Sequence, residues 1–122
     1  MSVLLCDDEL MNRKVASKIL KKEGFNVIEA CNAEEAYAIL KKEDIGLILM
    51  DLMMPVIDGF EAIGYIKSQK SLAHIPIIII SALSSKEAIL KGLTLGAIEH
   101  LSKPFDIADF ASKVKRHYPK ES

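Results

Sequence analysis

The sequence predicts an α/β domain of the (βα)5 type, a doubly wound parallel sheet of five strands with helices on both faces. Three observations predict it. Short apolar runs alternate with longer amphipathic segments along all 122 residues. Several of those runs, "PIIIIS" among them, are solid Val, Ile and Leu, as strands covered on both faces read. Strict alternation of strand and helix implies parallel strands joined by right-handed crossovers.

The first strand is predicted at Val3–Cys6. A helix follows from about Glu9 to Lys22, with Met11, Val15, Ile19 and Leu20 on its buried face and Gly24 as its stop. The second strand is Asn26–Ala30. Asn32 then caps the second helix, with Glu35 three positions on in the pattern of a capping box. The third strand is Leu47–Asp51, and Asp58 before Gly59, with Glu61 three positions later, opens the third helix. The fourth strand is Pro76–Ser81, and Ser84 followed by Glu87 opens the fourth helix. Gly92 and Thr94 lie inside that helix. Glycine costs roughly 1 kcal/mol against alanine there, so its C-terminal turn is expected to be loose and easily rearranged. The fifth strand is Ile98–Leu101. Asp106 and Asp109 open the last helix, with Ile107, Phe110 and Val114 on one face.

The chain has no linker, repeat or low-complexity stretch, so residues 1–122 read as one domain without an output domain. Half the residues are hydrophobic, enough for a core without staples. Sixteen basic residues nearly balance seventeen acidic ones, for a net charge of −1, which gives no reason to expect nucleic acid or membrane as a partner. The basic residues Lys113, Lys115, Arg116 and Lys120 read as a solvated helix face. Cys6 and Cys31 form no C-x-x-C and read as small buried apolar residues in a reducing compartment. The N-terminal apolar run is too short for a signal peptide, and no stretch is long enough to span a bilayer. A cytoplasmic location is expected.

Ligands of open α/β sheets bind at the carboxyl ends of the strands. Asp7, Asp8 and then Glu9 follow the first strand, Asp51 ends the third, Ser81 the fourth, and Lys103 and Pro104 follow the fifth. Carboxylates this close repel one another and need a cation or raised pKa values. An oxygen-only donor set suits Mg²⁺, and the lack of histidine and thiolate at these positions disfavours zinc. Lys103 supplies a mobile positive charge and Ser81 a hydroxyl. Together these parts suit phosphoryl transfer to a carboxylate, with Asp51 as nucleophile. Asp58 is read only as a helix cap.

Five stretches then carry a resemblance: "DDE" at Asp7–Glu9, "DLMMPVIDG" at Asp51–Gly59, "SA" at Ser81–Ala82, "GA" at Gly96–Ala97 and "KPF" at Lys103–Phe105. In order and spacing they resemble the receiver domain of bacterial two-component response regulators, over essentially the whole chain. The resemblance implies a flavodoxin-like fold with strand order 2-1-3-4-5. It implies that Asp51 accepts a phosphoryl group from a histidine kinase or histidine phosphotransfer protein. It also implies that Asp7, Asp8, Asp51 and the backbone carbonyl of Met53 serve Mg²⁺, and that Ser81 and Lys103 bind phosphoryl oxygens. A cis Lys103–Pro104 bond is implied as well. The output would pass through the face of helix four, strand five and helix five, to a downstream target or a fused output domain, with the protein a monomer or a phosphorylation-dependent dimer. The position three before Lys103, usually aromatic, is His100, which would make the switch smaller, polar and sensitive to pH. Met53 and Leu83 carry no group to orient an attacking water, so a long-lived acyl phosphate is expected.

Other classes fit less well. An aspartyl phosphatase resembles D-x-D-x-T, and Met53 stands where its second aspartate would be. A nucleotide module lacks its G-x-G-x-x-G after strand one. The nearest alternative is a degenerate receiver that serves only as an interaction or dimerisation module.

Overall fold

The computed structural model describes residues 1–82 and 85–119. Leu83, Ser84 and Lys120, each named above, lie outside the described residues. The elements alternate as β1 (Ser2–Cys6), α1 (Leu10–Lys22), β2 (Val27–Ala30), α2 (Ala33–Lys42), β3 (Ile45–Asp51), α3 (Gly59–Ser68), β4 (Ile77–Ser81), α4 (Lys86–Leu95), β5 (Glu99–Ser102) and α5 (Ile107–His117). The strands pair in parallel in the order β2-β1-β3-β4-β5.

The solid apolar strands divide their residues between two cores, because successive side chains leave opposite faces of a sheet. Val3, Leu5, Leu47, Leu49, Ile78 and Ile80 face α1 and α5, where Ala16, Leu20, Phe110 and Val114 meet them. Leu4, Cys6, Ile48, Met50, Ile77 and Ile79 face the other way, against Ala36, Ala62, Ile63 and Ile66 of α2 and α3.

Strand limits move by one or two residues from those expected. The fifth shifts by one, to Glu99–Ser102, because Ser102 still pairs with Ser81. Three caps hold as written: Asn32 accepts from the Glu35 N–H, Asp58 from Glu61 and Asp106 from Asp109. The Glu35 carboxylate reaches back to the N–H of Cys31, one residue before the cap. Helix α4 is capped by Ser85, whose hydroxyl accepts from the Ala88 N–H, one residue later than expected.

Three apolar placements are corrected. Met11 and Val15 are 66% and 48% exposed, and Ile107 is 66% exposed. Helix α1 instead buries Ala16, Ser17, Ile19 and Leu20, so small residues let it lie close on the sheet and the longer ones are left outside. Cys31 is only partly buried, whereas Cys6 is fully buried.

Gly92 has a packing reason. A Cβ there would run into Cδ1 of Ile79, so α4 rests directly on β4 at this point. Gly24 stands at φ 91° just past α1, where a side chain would be strained. Val56, in the loop after β3, adopts φ 70° although it is β-branched. Among the described residues no helix is long and apolar enough to cross a membrane.

Candidate functional site

Parallel pairing brings the carboxyl ends of β1, β3, β4 and β5 to one edge, which opens into a cleft of 520 Å³. Asp8, Glu9, Asn12, Asp51, Met53, Ala82, Lys103 and Pro104 line it. Asp7 and Asp51 are buried, and Asp8 is exposed at the mouth.

The two aspartates after β1 therefore do different work. Asp7 accepts the N–H of Glu9 on Oδ1 at 2.9 Å, and its Oδ2 lies 2.8 Å from the Lys103 ammonium. Its backbone carbonyl accepts from Nη1 of Arg13 at 2.8 Å. Arg13 in turn pairs with Glu29 of β2 at 3.0 Å. Sequence reasoning missed Arg13. Its only signal was a cation on the first turns of a helix that follows an acidic strand end. Asn12, on the cleft wall, was also missed.

Asp51 accepts the N–H of Met53 on Oδ1 at 3.2 Å, and its Oδ2 lies 3.4 Å from Lys103. Burial and the Asp7 charge push its carboxyl up to about 7, against the opposing pull of Lys103 and the Met53 N–H. Burial draws the Lys103 ammonium down, but the hydrogen bond to Asp7 and the charges of Asp51 and Asp7 outweigh it and raise its pKa. The Lys103–Pro104 bond is cis.

One carboxylate oxygen from each of Asp7, Asp8 and Asp51 can be chosen so that all three lie within 4.8 Å of one another. Three carboxylates face one ammonium here. Excess negative charge and oxygen-only donors are the chemistry that a hard divalent cation takes. The residues fit Mg²⁺.

Ser81 ends β4, is buried, and accepts the Lys103 N–H on its backbone carbonyl at 3.0 Å. The hydroxyl residue and the lysine are thereby tied together through the backbone. His100 is partly buried on β5 opposite Ile79, and its carbonyl accepts from Lys113 at 3.1 Å. The Met53 side chain is 58% exposed at the cleft mouth. Burial, then the charges of Asp51 and Asp7, push the Cys6 thiol up to about 12, which leaves it inert behind the site.

Residues 3–115 match the family described as the response regulator receiver domain. The chain is 34% identical over 117 residues to the transcriptional regulatory protein YvrH of Bacillus subtilis, covering 95% of this chain and 48% of that protein. It is 32% identical to sporulation initiation phosphotransferase F of the same organism, covering 98% of this chain and 95% of that one. The chain spans about half the length of most of the curated relatives it matches. Among solved structures, the chemotaxis protein CheY4 of Vibrio cholerae superposes with a TM-score of 0.90 at 30% identity, over 95% of this chain and 97% of that one.

Proposed function

Because the chain belongs to the response regulator receiver family, we propose that it is a phosphorylation-dependent signalling switch whose phosphoacceptor is Asp51. The observation that carries this reading is the convergence of Asp7, Asp8, Asp51 and Lys103 in one cleft, with Asp51 on the central strand.

A carboxylate oxygen of Asp51 attacks the phosphorus of a phosphohistidine on a histidine kinase or phosphotransfer protein. The new O–P bond forms as the P–N bond to the donor breaks, and the imidazole nitrogen leaves with the electron pair. Asp7, Asp8, Asp51 and the Met53 carbonyl would hold Mg²⁺, which supplies charge neutralisation on the transferring group. Lys103 keeps its ammonium charged and turns from Asp7 toward the phosphoryl oxygens. The Ser81 hydroxyl moves to a second oxygen. Leu10, Met11, Val15 and Ile107 are exposed apolar residues, and Val15 and Ile107 flank a groove of 480 Å³ between α1 and the start of α5. They offer the donor protein a surface to dock on.

The shift tilts an existing two-state equilibrium of the α4–β5–α5 face, where a downstream target or a fused output domain reads it, as a monomer or a phosphorylation-dependent dimer. Relatives named as transcriptional regulators favour an output in gene control, in which this domain itself touches no nucleic acid. His100 is the residue of β5 that would move with Ser81. The setting would be the cytoplasm, where the kinases of this family present their phosphohistidine.

The test is intact mass after incubation with acetyl phosphate, with and without Mg²⁺. A Mg²⁺-dependent gain of one phosphoryl group, absent in Asp51→Asn, supports the switch. No gain favours a degenerate receiver that acts only as an interaction module.

A further inference from the structure

The start of α3 presses on the backbone of the acceptor strand. A Cβ on Gly59 would run into the carbonyl oxygen of Asp51, and it would stand 2.6 Å from Cα of Leu52. The Gly59 N–H also donates to the Leu52 carbonyl at 3.0 Å. With no side chain between them, the two segments have no slack, and close-packed matter transmits displacement rather than absorbing it. A shift of the Asp51–Leu52 backbone must carry the N-terminus of α3 with it.

The next residue, Phe60, is half-buried against the core on that face. Its ring lies under the Lys91 ammonium of α4, 4.4 Å from the nitrogen to the ring centre. Its Cε1 is 3.9 Å from where a Cβ of Gly92 would stand, beside the point where Gly92 rests on Ile79. Gly92 is the only buried residue of α4 among the described residues. Helix α4 thus meets β4 and α3 together at this spot. Ile79 belongs to β4, two residues before Ser81, and Phe60 belongs to α3, next to Gly59.

We propose that Phe60 is a positioning residue that carries the state of Asp51 to α4, through Gly59 and across the α3–α4 contact, in parallel with any movement of Ser81. This rests on the reading of Asp51 as phosphoacceptor. The small residue at 92 is then a requirement of the coupling. It brings α4 near enough for one aromatic ring to touch it, in a helix whose other inward residues, Leu95 among them, are only partly buried. An element so held changes position at low cost.

The experiment compares hydrogen exchange of the α4 amides before and after labelling with acetyl phosphate and Mg²⁺, with intact mass as the control for labelling. In the wild type, labelling is expected to change α4 exchange about fivefold or more. Phe60→Leu is expected to label as the wild type does and to lose most of that change. Phe60→Tyr, which keeps the ring, is expected to retain it. Should Phe60→Leu fail to fold, the exposed Lys91→Gln carries the test with the same expected loss. Full labelling with an undiminished α4 response in Phe60→Leu, a loss in Phe60→Tyr as large as in Phe60→Leu, or no α4 response in labelled wild type overturns this proposal and leaves the switch standing. Absence of labelling in the wild type overturns the switch reading, and this one with it.

Discussion

Lys103 lies closer to Asp7 than to Asp51: its ammonium is 2.8 Å from Asp7 Oδ2 and 3.4 Å from Asp51 Oδ2. The lysine at the end of β5 is thus held chiefly by the buried aspartate at the end of β1, three strands away across the sheet. It serves as the counter-ion of the two buried carboxylates.

Removing that counter-ion leaves two buried carboxylates facing each other. Lys103→Met is expected to lower stability by about 2–4 kcal/mol at pH 8, since breaking a buried pair from one side strands the other charge. The loss should shrink toward pH 5, where Asp51 is protonated. Urea denaturation at the two pH values checks both parts.

Asp51 makes folding depend on pH. Its carboxyl is raised from 3.8 to about 7 in the folded protein, by burial first and then by Asp7. Between those values the folded state holds a proton that the unfolded state has released, so stability falls as pH rises through this window. Asp51→Asn removes the penalty. It is expected to stabilise the protein by about 1–3 kcal/mol at pH 8 and to leave it nearly unchanged at pH 4. Binding of Mg²⁺ should by the same linkage release protons and weaken below about pH 7, which titration calorimetry in two buffers reads directly.

Val56 holds a left-handed backbone, φ 70°, with its side chain 94% exposed. Nothing is gained by packing to offset the strain of a β-branched residue there. Val56→Asn is expected to raise stability by about 1 kcal/mol, since asparagine tolerates this conformation. An unchanged denaturation midpoint would refute it.

The Met53 side chain borders the cleft that Asp51 also lines and carries no polar group. Met53→Asn is expected to speed loss of the phosphoryl group several-fold, followed by intact mass after removal of acetyl phosphate. Faster loss in the wild type would contradict the assignment.

Much of the fold was legible because its signals are local. Solid apolar runs, N-cap residues three before an acidic partner, and the alternation of the two gave all ten elements. Asn32, Asp58 and Asp106 cap as their spacing required. The errors share one physical source. Met11, Val15 and Ile107 have the hydrophobicity of core residues, but burial depends on which face lies on the sheet. In α1 that face was chosen by the small Ala16 and Ser17, which allow close approach.

The sequence by itself determined the class of fold and the set of groups at the strand ends: Asp7, Asp8, Asp51, Ser81 and Lys103. Residue type and period are written in the chain, and parallel strands must place their carboxyl ends together. Only the tertiary structure decided how those groups divide the work. It buried Asp7 and exposed Asp8, turned Lys103 toward Asp7, recruited Arg13 to the Asp7 carbonyl, and set Phe60 between Gly59 and α4. These are relations of distance and desolvation between residues far apart in sequence. The pKa of Asp51 depends on what surrounds it after folding, and no local pattern records that.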